Sequence, residues 1–143
     1  MITKLMCLFI LVAASFTQAK ADESCPFPSA IHYVDGHYQA TAGKTLWQSP
    51  KVESHDFADR FIGALFMPGK DKERKNGFLE RCVYLLGSGQ TVSLRYGAPE
   101  KVNAISLKDS LFWEPMIGPL GENVYICRDN LTINCPFTVE GKH

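Results

Sequence analysis

Four cysteines constrain this chain more than any other feature. The sequence holds five, but Cys7 falls in an opening stretch, "MITKLMCLFILVAASFTQAKA", where Lys4 precedes an apolar run from Leu5 to Phe16 and small residues follow at Ala19 and Ala21. That order is the order of a secretory signal peptide, and the apolar run is too short to span a bilayer. Cleavage is expected after Ala21, with Ala19 as the alternative, so that residues 1–21 are a signal peptide and 22–143 one disulfide-bonded β-domain. Asp22, Glu23 and Ser24 separate the cut from Cys25, which argues against a lipid-anchored cysteine. Export would place Cys25, Cys82, Cys127 and Cys135 in an oxidising compartment, periplasmic or extracellular, and an even set there predicts two disulfides. Zinc ligands arrive in close pairs, whereas these spacings are 57, 45 and 8.

Such a chain is long enough for one domain with a hydrophobic core and has no second apolar run fit to cross a membrane. The leader carries two of the 15 basic residues and none of the 15 acids, leaving a net charge of −2. With no basic face, nucleic acid is not an expected partner.

The pattern predicts strands. In "AIHYVDGHYQAT", Asp35-Gly36 sits between two alternating runs, a two-residue hairpin signal that pairs Val34 with His37 and Tyr33 with Tyr38. Ile31, Tyr33, Tyr38 and Ala40 then form the core side. A second hairpin joins Phe78–Leu86 to Thr91–Tyr96 through Gly87-Ser88-Gly89-Gln90, and a third is expected in "ENVYICRDNLTINCPFTV" with Asp129-Asn130 near its tip. "TLWQSP" and "SLFWEPMIG" are short runs ended by proline, in the manner of edge strands. In "SHDFADRFIGALFMPG", Ser54 could cap a helix with Phe57, Phe61 and Leu65 on one face. Gly63 weakens that reading, so a strand is expected. The whole predicts an all-β fold, a single antiparallel β-sandwich or small barrel with two disulfides.

Four cysteines allow three pairings. "RCVY" and "YICR" mirror each other, so antiparallel strands would set Cys82 opposite Cys127, at the cost of Arg81 facing Arg128. Cys25 would then join Cys135, clasping the two Cys-Pro-Phe triplets together. The rival pairs Cys25 with Cys82 and Cys127 with Cys135, and the nested pattern is preferred over it.

No catalytic motif is present. His32 and His37 share one face of the first hairpin and, with His55, Asp56 or His143, are the residues from which a metal or acid–base site would have to be assembled. No metal, cofactor or catalytic residue is assigned. The mixed-charge segment "PGKDKERKNG" reads as a solvated loop. Trp47 and Trp113, each followed closely by proline, are core residues by default. If exposed, they would form a stacking platform for sugar or an anchor for protein contact.

Through "CPFPSAIHYVDGHYQAT", Trp47, "FIGALF", "RCVYLL" and "YICRDNLTINCPF", the chain resembles a family of small exported gamma-proteobacterial proteins classed as a domain of unknown function. The resemblance implies an exported β-domain without assigned catalytic residues. The expected function is a non-catalytic binding domain, monomeric, acting on a protein, envelope or carbohydrate target, possible roles being secreted effector or hydrolase inhibitor. Trp47, Trp113, His32 and His37 are its candidate binding residues. The alternative is a small secreted hydrolase or metal-dependent enzyme using the His and Asp residues of 32–59.

Overall fold

Asp35 and Gly36 both take positive φ, 50° and 88°, so the chain reverses in two residues. β1 (His32–Val34) and β2 (His37–Ala42) pair as the sequence predicts, with Tyr33 opposite Tyr38 and Val34 opposite His37. A computed structural model describes residues 23–42, 45–53, 56–70, 73–97, 105–107 and 111–139. The expected signal peptide, residues 1–21, lies outside them, as do Ser54, His55 and His143.

The remaining strands are β3 (Thr45–Gln48), β4 (Ala58–Met67), β5 (Phe78–Leu86), β6 (Thr91–Tyr96), β7 (Ile105–Leu107), β8 (Trp113–Ile117), β9 (Asn123–Cys127) and β10 (Phe137–Val139). Eight form one antiparallel sheet in the order β1-β2-β3-β6-β5-β4-β9-β8, and β7 pairs with β10 in a two-stranded ribbon. The all-β antiparallel fold expected from the pattern is the fold observed, and the ambiguous segment is the central strand β4.

The sheet curls. β3 and β8 stand five strand spacings apart, about 24 Å if the sheet were flat. Yet the Trp47 ring packs 6.3 Å from that of Phe137, and Trp113 Nε1 donates at 3.0 Å to the carbonyl of the preceding residue, Pro136. One cluster therefore fills the concave side, including Tyr38, Trp47, Phe61, Phe66, Tyr84 and Phe137. The ribbon is tied into it at both margins, by Glu23 bonding to Phe137 and Gly77 to Ile105.

The disulfides are Cys25–Cys82 and Cys127–Cys135, not the nested pattern the mirror-image tetrapeptides favour. The cause is strand order. β4 runs between β5 and β9, and Ala64 faces Cys82 on one side and Cys127 on the other. Cys82 and Cys127 are thus two spacings apart, about 9–10 Å, beyond the reach of a disulfide. Their Cα atoms lie instead 6.0 and 5.8 Å from those of Cys25 and Cys135.

Two further expectations are corrected. β9 and β10 do not form a hairpin: β9 pairs with β4 and β8, and the chain passes through a 3₁₀ turn at Thr132–Asn134 into the ribbon. β3 is not an edge but joins β2 to β6, bonded to β6 only through Trp47 and Gln48 before Pro50 ends the run. β8 is the edge that the proline in "FWEP" announces. Pro115 offers no N–H there, and the Trp113 carbonyl accepts from Arg74 Nη2 at 3.0 Å, so the strand is poorly suited to adding another. Arg74, read as part of a solvated loop, is in fact structural and lies 5.0 Å over the Tyr125 ring.

Candidate functional site

The residues singled out from sequence do not gather into one site. Trp47 and Trp113 are each 1% exposed, which corrects the stacking-platform expectation: neither face can receive a sugar ring. Both lie on the concave side of the sheet because their register partners, Ala40 and Cys127, are core-facing. His32 is exposed, whereas His37 Nδ1 donates to the Ser49 carbonyl at 2.8 Å. The Asp56 backbone is held on both sides of the Tyr38 hydroxyl, and its carboxylate accepts from the Phe57 amide. Among the described residues no group of three His, Cys, Asp or Glu side chains is placed to hold a metal.

Sequence reading missed the principal cavity. It is a groove of about 550 Å³ on the convex face of the sheet, across β5, β4, β9 and β8. Its origin is the composition of β4. An antiparallel sheet with one face in water normally alternates apolar and polar residues, but "FIGALFM" is apolar on both sides. Phe61, Ala64 and Phe66 enter the core, while Ile62, Leu65 and Met67 line the groove. Register shifts between Phe61 and Gly63 and between Leu65 and Phe66 keep large residues on both faces.

The neighbouring strands continue the surface. Arg81, Leu65, Ile126 and Glu114 stand in one row across four strands, and Val83 faces Gly63 in the next. Gly63 is required by close approach. A Cβ there would lie 2.7 Å from the Cys127 carbonyl oxygen and 3.8 Å from the Arg128 Cα. Its missing side chain also leaves a low point in the floor between Val83 on β5 and Arg128 after β9. Met116 and Val124 close the far end, where Leu120 stands 92% exposed on the β8–β9 turn.

The groove's charges are unevenly committed. Glu122 accepts from the Leu120 amide at 2.9 Å, and Glu80 lies 3.9 Å from Arg95. Arg81 and Arg128 have no acidic partner among the described residues, and Arg128 Nη2 is 4.0 Å from Met116 Sδ. Two displaced titrations lie away from the groove. Burial pushes the Tyr84 phenol well above its ordinary range, and the Leu131 amide, helped by Asn134 Nδ2, holds the Asp129 carboxyl below its own. The groove offers shape, apolar surface and two cations.

Two disulfides belong to an oxidising environment outside the cytoplasm. Among the described residues no helix is long and apolar enough to cross a membrane. No curated protein and no solved structure matches the chain. A family model does, that of a protein of unknown function (DUF3757), over residues 18–138. Since that match takes in both disulfides and every described strand residue except Val139, the chain belongs to the DUF3757 family.

Proposed function

We propose that the protein is a non-catalytic binding domain, exported to the periplasm or the cell exterior behind the leader of residues 1–21, and that the convex groove is its binding face. The observation that carries this reading is the apolar strip of Ile62, Leu65, Met67, Val83 and Ile126 on the outer side of a sheet whose core lies on the other. An apolar strip left in water opposes solubility, whereas contact with a target removes it from solvent. Apolar side chains on the floor favour a protein or lipid-bearing envelope target over a carbohydrate, which would need polar and aromatic groups.

The test is capture from envelope and host extracts by immobilised protein. Leu65→Glu and Ile126→Glu, on the half-exposed floor, are expected to abolish retention of the target while leaving the melting temperature within a few degrees. Val34→Glu, on the exposed tip of the first hairpin, is expected to retain it. Equal retention by Leu65→Glu and wild type would remove the groove from the function.

A further inference from the structure

Resting on the reading of the groove as a binding face, we infer that its occupant is a segment of a partner protein in which apolar side chains stand beside a carboxylate. The apolar part of the argument is the floor already described. The acidic part is charge complementarity. Of the four charged residues lining the groove, both acids are engaged within the domain, Glu122 with the Leu120 amide and Glu80 near Arg95. The two arginines have no acidic partner among the described residues.

Their placement suits one anion. Arg81 on β5 is level with Leu65 and Arg128 follows β9 beside Gly63, so their backbones stand diagonally across β4, about 12 Å apart. Two arginine side chains are long enough to meet one anion from the two ends of that diagonal, and Gly63 puts no side chain beside Arg128. Guanidinium groups bind carboxylates with two parallel N–H···O bonds, and water beside an apolar wall screens the pair less than open solvent does. Methionine and arginine are also the residues enriched where proteins meet proteins, and Met67 and Met116 can adjust to a side chain of irregular shape.

A protein segment fits better than a fatty acid. The groove is a trough on an open sheet face, and small-molecule sites bury about 70–90% of their ligand. A lipid chain lying in the trough would keep one side in water, whereas a protein segment brings its own cover.

The experiment is selection of a phage-displayed random dodecapeptide library on the intact disulfide-bonded protein, with depletion on Leu65→Glu. The expected result is a set of peptides carrying Asp or Glu within about three residues of two or more large apolar residues. Their binding should weaken about tenfold or more in the Arg81→Ser/Arg128→Ser double variant, and should weaken as salt is raised. Groove-dependent peptides without acidic residues, or indifferent to the double variant, would overturn the inference while leaving the groove as a binding face. Displacement of a hydrophobic dye by laurate, with no peptide enriched, would overturn it in favour of a lipid carboxylate. A parallel selection without the depletion step, all of whose peptides bind Leu65→Glu as well as wild type, would overturn both this inference and the reading beneath it.

Discussion

At the scale of single residues, Gly63 and Asp129 show how local physics shapes this molecule. Gly63 sits where β9 comes so close that any Cβ would meet a backbone carbonyl, which cannot move as a flexible side-chain end would. Gly63→Ala is therefore expected to destabilise the fold by about 1–3 kcal/mol, read as a lower urea midpoint, although alanine is the better strand residue. An unchanged midpoint would show that β9 can retreat. Asp129 accepts from the Leu131 amide at 2.8 Å and from Asn134 Nδ2 at 3.0 Å, and these bonds favour its charged form. Its folded-state value is lowered, so the stabilisation is present above the ordinary 3.8 and is lost as pH falls below it. NMR titration should find the Leu131 amide shift moving with a midpoint below 3.8, and a midpoint at or above it would deny the turn its charge.

At the scale of elements, the two Cys-Pro-Phe triplets are anchored by one plan used twice. Cys25 is bonded to Cys82 on β5, and the Pro26 carbonyl accepts at 2.6 Å from Tyr84, two residues along the same face. Cys135 is bonded to Cys127 on β9, and the Pro136 carbonyl accepts at 3.0 Å from Trp113, the register partner of Cys127. Each clasp thus joins a disulfide to an aromatic donor that satisfies a carbonyl next to it. Tyr84→Phe is expected to cost about 1–3 kcal/mol by leaving the buried Pro26 carbonyl unpaired. Because the buried phenol stays protonated while the unfolded chain ionises it near 10.0, stability should also fall as pH rises beyond that value, and Tyr84→Phe should remove this part of the slope. Denaturant melts of both proteins from pH 8 to 11 check the cost and the slope together.

The same elements mark what the sequence made legible. Asp35-Gly36 gave its hairpin because two positive-φ residues leave one option, and the alternation of Thr91–Tyr96 placed its core face correctly. Cysteine pairing was not legible, since the "RCVY" and "YICR" likeness carries no information about which strand lies between. Burial of Trp47 and Trp113 follows from register with strands distant in sequence, which local pattern does not contain. The groove has a signal in the unbroken apolar run 61–67, which makes both faces of a strand apolar, but the same run also fits a helical face, so its periodicity alone does not point to a groove.

At the scale of the whole molecule, the disulfides bear on stability and the curl of the sheet decides which face is left outside the core. The clasps close loops of 57 and 8 residues, which in the chain-entropy model stabilise by about 4 and about 2–3 kcal/mol. Replacing Cys25 and Cys82 with serine should therefore lower the unfolding free energy more than replacing Cys127 and Cys135, as urea melts of the two double variants would show. Equal losses would mean that local packing around each pair, not loop closure, decides its contribution. Curling commits the concave face to the core and leaves half-exposed apolar side chains on the convex face of β5, β4, β9 and β8.

The most direct test of that assignment is site-specific photo-crosslinking, with a benzophenone side chain placed in turn at Leu65, Val83 and Val34 and irradiated in the presence of the captured target. The groove positions Leu65 and Val83 should yield covalent adducts with the target, and Val34 on the far hairpin should yield none. Adducts from Val34 with none from Leu65 or Val83 would contradict the account.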